Sequence, residues 1–550
     1  MNAASTGATV PIASTPGKIV TLIYLVAAAA LLATLLHNHY QVLNFPHPLD
    51  FNEGAVLTVT ATIVEGGNPY SLESQPARTS VYPAMGNLVA APFAAVFGNT
   101  FFLHRLIAMV LIVASSLLVG AVVFRKTSSW AASFVAGVFA YASFIYYSTP
   151  IGGPNGLSLF LFLASVIIPW CNDFSRRSLA VAIVVGVLAF YTKQYFVAGL
   201  GYVALYLFLA RSKKAGVLFG VAFTAALLLS ALVVMVIAPY YFDITLISVI
   251  YTATEIGSMD VMLKQLIQYS GYVYPFYVVL GLYLARLAWL SWRQEIPDAT
   301  AQHPSAARLN LTDLDAPLLP RGVDYFLVCL LCSLVIFVFV LGTNPGMYLS
   351  YLFQMISPFL VILVIGLMAQ MGRLAIACQL VLLPAMYHHY AMQSHDFSVK
   401  HAENWPKLQK IIDESEHVYA SNILLERVLR SGKEIYQNGA TTYFVFTFYK
   451  PDILKRADYA VSVDGIWERH VKRVHDLIRR REFDAVLVNP WTPLPMMPPG
   501  SGYAVNGREL LEQYYEKKRL LPLAAANRPG GGSYPIEIWR PREGEIAPAN

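Results

Sequence analysis

The sequence predicts a polytopic α-helical membrane domain followed by a soluble α/β domain. Three observations predict it. Hydrophobic residues make up 56% of the 550 positions and charged residues only 13%, about half the charged share of a soluble chain. Apolar runs long enough to cross a bilayer recur from Ile19 to Met386, divided by short polar loops. Beyond His388 the apolar runs shorten to the lengths of strands and surface helices.

The elements follow in order. Residues 1–17 are rich in Ser, Thr, Ala and Pro and are expected to be disordered. Lys18 opens the first apolar run, Ile19–Leu36, which is longer than the core of a cleaved signal peptide and so reads as a retained span. The first outer loop, 37–99, carries His47-Pro-Leu-Asp-Phe-Asn-Glu-Gly54. Asp50 and Glu53 have the spacing of a capping box, in which Asp50 accepts from the Glu53 N–H and Glu53 reaches back to the cap. Val56, Leu57, Ile63 and Val64 then line one face of a helix that Gly66-Gly67 stops and Asn68-Pro69 prevents from restarting. It is too short to span a bilayer and is placed along the surface. A second juxtamembrane helix starts at Pro83 and ends near Gly98.

Ten more spans are predicted: Phe101–Phe124, Trp130–Tyr147, Leu157–Trp170, Leu179–Tyr191, Phe196–Leu209, Val217–Ile237, Tyr272–Leu290, Tyr325–Leu341, Leu349–Met368 and Leu374–Met386. This gives a membrane domain of residues 18–387 with about eleven transmembrane helices. Arg125-Lys126, Arg176-Arg177, Arg211 with Lys213 and Lys214, the Arg293, Arg308 and Arg321 loop, and Arg373 all fall on one side. That side is cytoplasmic by the positive-inside rule, together with the N-terminus. The loop holding Asp50, the loop holding Glu255 and residues 388–550 then share the opposite face, periplasmic in a bacterium. In that last domain, helices are predicted at Trp405–Glu416, Ile423–Arg430 and His470–Arg480. Strands are predicted at Val418–Ser421, Glu434–Tyr436, Asp484–Val488 and Ile536–Trp539.

The composition also excludes functions. The net charge of +6 comes from basic residues in short loops, which is no nucleic-acid signal. The four cysteines, Cys171, Cys329, Cys332 and Cys378, lie in apolar segments and form no disulfide framework. Gly199-Leu-Gly201 mimics a dinucleotide fingerprint, but it stands inside a span with no strand before it. Asp313-Leu-Asp315 mimics a nucleotide-sugar metal motif, but no domain surrounds it. His388, His389, His395 and His401 fit no compact zinc spacing.

The residues left over suggest chemistry at the outer face. Asp50 and Glu53 have a structural reading as helix caps. They also have a functional one, since carboxylates at a lipid boundary are costly unless used or paired. Arg105, one turn into the second span, needs a carboxylate or phosphate partner, with Asp50, Glu53 and a ligand phosphate as candidates. Lys193 closes the fifth span on the outer side, where it either snorkels to the interface or binds a phosphate. Tyr348 and Tyr351 fit an interfacial aromatic belt.

The order Asp50-x-Asn52-Glu53-Gly54, Gly67-Asn68-Pro69-Tyr70, Tyr82-Pro83, Phe97-Gly98 and Arg105 resembles the GT-C superfamily of membrane glycosyltransferases. The likeness is to the branch of protein O-mannosyltransferases and the lipid A aminoarabinose transferase. It departs from that pattern at Asn52, where relatives often carry Asp, and at Ala84, where many have a second Pro. The resemblance implies transfer of a sugar from a polyprenyl-phosphate donor to a hydroxyl on a glycan, lipid or protein acceptor, with inversion. Asp50 is taken first as general base, with Glu53 as alternate or orienting partner. Lys193 and Arg105 would bind the donor phosphate, and Tyr70, Tyr82, Tyr348 and Tyr351 would line the substrate cavity. A divalent ion in place of one cation is compatible with some relatives; its ligands are unknown. The competing readings are a transporter or flippase, against which no internal repeat is visible, and a non-catalytic component of polysaccharide assembly.

Overall fold

The computed structural model describes residues 15–49, 52–71, 73–74, 77–79, 82–145, 152–247, 259–292, 315, 317–318, 323–341, 349–393, 401–436, 469–490, 494, 507–523 and 535–543. Asp50 and Tyr348, and the loop carrying Glu255, lie outside these residues, as do residues 1–14. Thr15–Gly17, expected to be disordered, belong to the first helix.

Each segment predicted as a span is helical. The first, α1 (Thr15–Asn44), overruns its predicted end by two turns. His37, Asn38 and His39 end the apolar run but not the helix; Asn38 and His39 are buried, and His39 Nδ1 lies 2.6 Å from the Tyr141 hydroxyl. The loop helices are α2 (Glu53–Val64) and α3 (Met85–Phe97). Then come α4 (Phe101–Thr127), α5 (Trp130–Phe144), α6 (Asn155–Cys171) and α7 (Arg176–Phe190). A 3₁₀ turn (Gln194–Val197) leads into α8 (Ala198–Tyr206), followed by α9 (Lys213–Ile237), α10 (Met259–Trp292) and α11 (Tyr325–Ile336). The predicted span Leu349–Met368 is two helices, α12 (Leu349–Met355) and α13 (Ser357–Met368), divided at Ile356. Pro358 has no N–H to continue the ladder. The last is α14 (Leu374–Gln393). Among the described residues, five helical segments are long and apolar enough to cross a bilayer by length and composition alone: 17–44, 101–127, 194–211, 213–237 and 262–290.

The order of burial explains the bundle. From Val138 to Phe144, α5 is buried on every side and forms the axis of the core. In contrast α9 exposes Leu218, Val221, Leu228, Leu232 and Val236, the surface of a helix meant for lipid. At the basic end of the bundle, Lys126 pairs with Asp324 at 2.6 Å, tying α4 to the start of α11.

Beyond α14, the described residues form a four-stranded sheet, β1 (Val418–Ala420), β2 (Ala485–Val488), β3 (Tyr515–Leu521) and β4 (Ile536–Pro541), in the order β1-β2-β4-β3. β1 and β2 are parallel, and the other pairs antiparallel. Alternate side chains enter two cores. Ala420, Leu487 and Ile538 pack with Trp405, Leu408 and Ile412 of α15 (Asn404–Glu414). Tyr419, Val486 and Trp539 pack with Val474 and Ile478 of the helix at 469–479. The expected strand Glu434–Tyr436 is irregular chain instead. β3 takes the place beside β4. Its sequence, Tyr-Glu-Lys-Lys-Arg-Leu-Leu, shows no apolar alternation because both faces of this edge strand meet water, and its charges block further pairing.

The domain touches the loop helix α2 at Gly54. A Cβ there would lie 2.9 Å from both the Asn422 carbonyl oxygen and the Leu425 Cβ, so only glycine lets the two backbones approach. Gly54→Ala should therefore lower the thermal stability by about 1–3 kcal/mol and increase proteolysis near Asn422. Gly201→Ala, which meets nothing within 4 Å, should leave both unchanged.

Candidate functional site

The first outer loop folds around one ion pair. Glu53 opens α2 and Arg105 lies one turn into α4; both side chains are about 1% exposed or less. The pair is bidentate: Arg105 Nε donates to Glu53 Oε1 at 2.9 Å and Nη2 to Oε2 at 2.7 Å. The remaining guanidinium N–H groups go to backbone carbonyls. Nη1 donates to Val42 and Phe45 at 3.1 and 2.6 Å, and Nη2 to His47 at 2.8 Å. All five guanidinium donors are thus engaged within the protein. Glu53 is equally saturated, because Gly152 N donates to Oε1 at 3.0 Å and Leu49 N to Oε2 at 2.7 Å. Burial alone would push the Glu53 carboxyl up. The Arg105 charge and these N–H bonds outweigh it and hold the carboxyl below the ordinary carboxylate range.

Local sequence produces this geometry. Thr100 caps α4, accepting from Leu103 N, which sets the rotation that turns Arg105 inward. Gly152 must lack a side chain, since a Cβ would sit 2.9 Å from the His104 Cβ and bar its N–H from Glu53. Asn52 stands at the N-cap with no side-chain cap bond, and Glu53 accepts from Leu49 N; the Asp50 half of the expected capping box lies outside the described residues.

A second cluster surrounds Lys193, in the turn between α7 and α8. Its ammonium donates to Asn155 Oδ1 at 2.7 Å and to the Tyr351 hydroxyl at 2.6 Å. It also faces the rings of Tyr351 at 4.3 Å and of Tyr82 and Tyr195 at 5.5 Å. Lys193 is 5% exposed, and among the described residues no carboxylate pairs with it. Tyr70 belongs to the same cluster at one remove. Its hydroxyl donates to the Tyr82 carbonyl at 2.8 Å, while its ring meets Tyr241 at 4.9 Å. Asn68 fixes that turn by donating to the Ile237 carbonyl and accepting from Tyr70 N.

No family model matches the chain, and no curated protein matches it. Among solved structures, the crystal structure of ArnT from Cupriavidus metallidurans bound to undecaprenyl phosphate matches with a TM-score of 0.50 at 11% identity, over 95% of this chain and 99% of that one. The crystal structure of ArnT from the same organism in the apo state matches with a TM-score of 0.45 at 12% identity, over 93% and 97%. At this identity the likeness is one of fold. The fold is the GT-C fold.

Within the GT-C fold, the residues singled out by sequence separate into two groups. Tyr70, Tyr82, Lys193 and Tyr351 gather around one ammonium. Glu53 and Arg105 form the other group. Of the partners expected for Arg105, a carboxylate or a donor phosphate, the structure shows the carboxylate of Glu53, with all five N–H groups engaged within the protein. Both oxygens of Glu53 are likewise hydrogen-bonded. Sequence reasoning missed Gly152 and Asn155, which bridge the groups: Gly152 N bonds Glu53 and Asn155 Oδ1 bonds Lys193. Three residues of extended chain reach at most roughly 11 Å, so the two groups are held close together. The Gly152-Gly153-Pro154 turn was the available signal. Among the described residues no three His, Cys, Asp or Glu side chains converge as a metal site requires.

Removing half of the ion pair leaves a buried charge. Glu53→Gln or Arg105→Ala should cost about 3–5 kcal/mol of stability, and Arg105→Lys should not rescue it, because an ammonium lacks the fork. A depressed carboxyl contributes stability that is complete above its unfolded value near 4.3 and is lost as pH falls through the folded value. Acid unfolding of the wild type should therefore steepen below about pH 4, and Glu53→Gln should lack that component. Thermal melts across pH check both.

Proposed function

We propose that this chain is a glycosyltransferase that moves a sugar from a polyprenyl-phosphate donor to an acceptor hydroxyl at the periplasmic face of a bacterial inner membrane. One observation carries the reading: a buried ammonium, Lys193, sits in an aromatic box with two neutral hydrogen-bond acceptors and no described carboxylate to neutralise it. A cation so placed suits an anionic group arriving from the lipid. The protein of the matching GT-C crystal structure was crystallised with undecaprenyl phosphate, a ligand of that chemistry.

In this reading the donor phosphate docks on Lys193, with Tyr82, Tyr195 and Tyr351 around it. Asp50 accepts the proton of the acceptor hydroxyl as its oxygen forms a bond to the anomeric carbon. The bond from that carbon to the phosphate oxygen breaks on the opposite face, so the sugar inverts. The polyprenyl phosphate leaves with the electron pair, and Lys193 meets its charge in a site of low dielectric. Arg105 and Glu53 touch neither reactant; they fix the loop that carries Asp50. The acceptor is a glycan, lipid or protein hydroxyl, and no nucleic acid takes part.

The test is transfer of radiolabelled sugar from a polyprenyl-phosphate sugar to envelope acceptors, compared with movement of the intact lipid across vesicles. Lipid movement without transfer would make the protein a flippase and end this reading. Asp50→Asn should abolish transfer while expression and melting temperature stay near wild type. Lys193→Ala should weaken donor binding and turnover; unchanged donor kinetics would remove it from the site.

A further inference from the structure

The soluble domain does more than rest on the membrane domain. Residues 45–49 have no regular secondary structure, yet they are held from two sides. From the membrane side, Arg105 takes the carbonyls of Phe45 and His47. From the soluble side, the His47 ring lies flat on Trp405, with centroids 4.6 Å apart and planes 8° from parallel. Arg427, on the helix α16 (Leu425–Arg430), donates from Nη2 to His47 Nδ1 at 3.1 Å and stacks its guanidinium over Trp405 at 4.9 Å.

Arg427 joins the loop to its own domain. It is 7% exposed, its Nη1 donates to Gln409 at 2.9 Å, and among the described residues Nε finds no partner and no carboxylate pairs with the side chain. A buried guanidinium with an unused N–H is costly, so what it gains at His47 and Trp405 must offset that cost. His47 suits the contact only as neutral imidazole, with Nδ1 as acceptor. Burial, and then the charges of Arg427 and Arg105, push its pKa down to about 4. Two further contacts point the same way: Gly54 against Asn422 and Leu425, and Val471 in the cluster of Tyr70 and Tyr241.

We propose that Trp405 and Arg427 are positioning residues for the transfer reaction: the soluble domain clamps His47 and thereby fixes the loop that runs from there into Glu53. This rests on the reading above, that the loop carries the base. Donor docking at Lys193 uses a different set of side chains and is independent of the clamp.

The experiment uses the full chain in lipid nanodiscs, with Trp405→Ala, Trp405→Phe, Arg427→Gln and His47→Ala. Amide exchange of residues 45–64 is measured without substrate. Binding of undecaprenyl phosphate and turnover with a polyprenyl-phosphate sugar are measured beside it. Trp405→Ala, Arg427→Gln and His47→Ala should speed exchange in that segment by about tenfold and cut turnover by about 100-fold, with undecaprenyl phosphate affinity within about twofold of wild type. Trp405→Phe, which keeps a ring to stack, should recover most of both. If Trp405→Ala unfolds the soluble domain, His47→Ala decides, because it empties the clamp from the loop side. Unchanged exchange with a folded domain overturns the proposal, as does faster exchange with full turnover. A wild type that transfers no sugar refutes the functional reading instead and leaves the exchange result to judge the clamp.

Discussion

The Glu53–Arg105 pair is the constraint on which the outer half of this structure depends. Taking two charges out of water is expensive, and their mutual attraction compensates only when every lone pair and proton is also satisfied. Here that condition is met by backbone from three places: the end of α1, the chain leading into α2 and the turn at Gly152. Arg105 also does for α1 what a capping residue would. The last carbonyls of a helix have no partner within it, and the Val42 and Phe45 oxygens find theirs in a cation, which suits the negative end of the helix. One side chain thus ends a span, starts a juxtamembrane helix and fixes the loop between.

The two buried cations of the site have opposite roles because of their shapes. A planar guanidinium with five donors can be satisfied wholly by fixed acceptors, and Arg105 is. The Lys193 ammonium is a point charge, and its described hydrogen-bond partners are an amide oxygen and a phenol, neither of which carries charge. The aromatic rings around it stabilise positive charge without cancelling it. In the proposed reading that charge is available to a ligand, whereas all five Arg105 donors are taken up by the fold.

How much was legible in the sequence follows from the range of each interaction. Hydropathy reads a span because the bilayer acts on every residue of it, so all the predicted segments are helical. It misreads ends, as at α1, where the polar His39 is buried against Tyr141 rather than marking a loop. It misses β3, an edge strand whose polar faces carry no periodic signal. The ordered motifs drew attention to Glu53, Arg105, Tyr70, Tyr82 and Lys193, since each lies in or beside a recognisable turn. They gave no means of knowing that Arg105 would be saturated. That outcome depends on carbonyls some sixty positions earlier, which have no side-chain identity to read. The His47, Trp405 and Arg427 contact lies further out of reach, because it joins residues 380 positions apart through stacking that any aromatic pair might make.

The turn from Gly152 to Asn155 unites these arguments. The proposed transfer between a lipid-borne donor and a hydroxyl from water would need phosphate site and base at a fixed separation, since a displacement of about 1 Å can cost two orders of magnitude in rate. A flexible connection would not hold them. This turn bonds Glu53 at one end and Lys193 at the other, and Gly152 is pressed against His104 so closely that no side chain fits. Its Pro154 restricts the backbone just before Asn155 enters α6. Lys193 and the Glu53–Arg105 pair are therefore bonded to the two ends of one short turn.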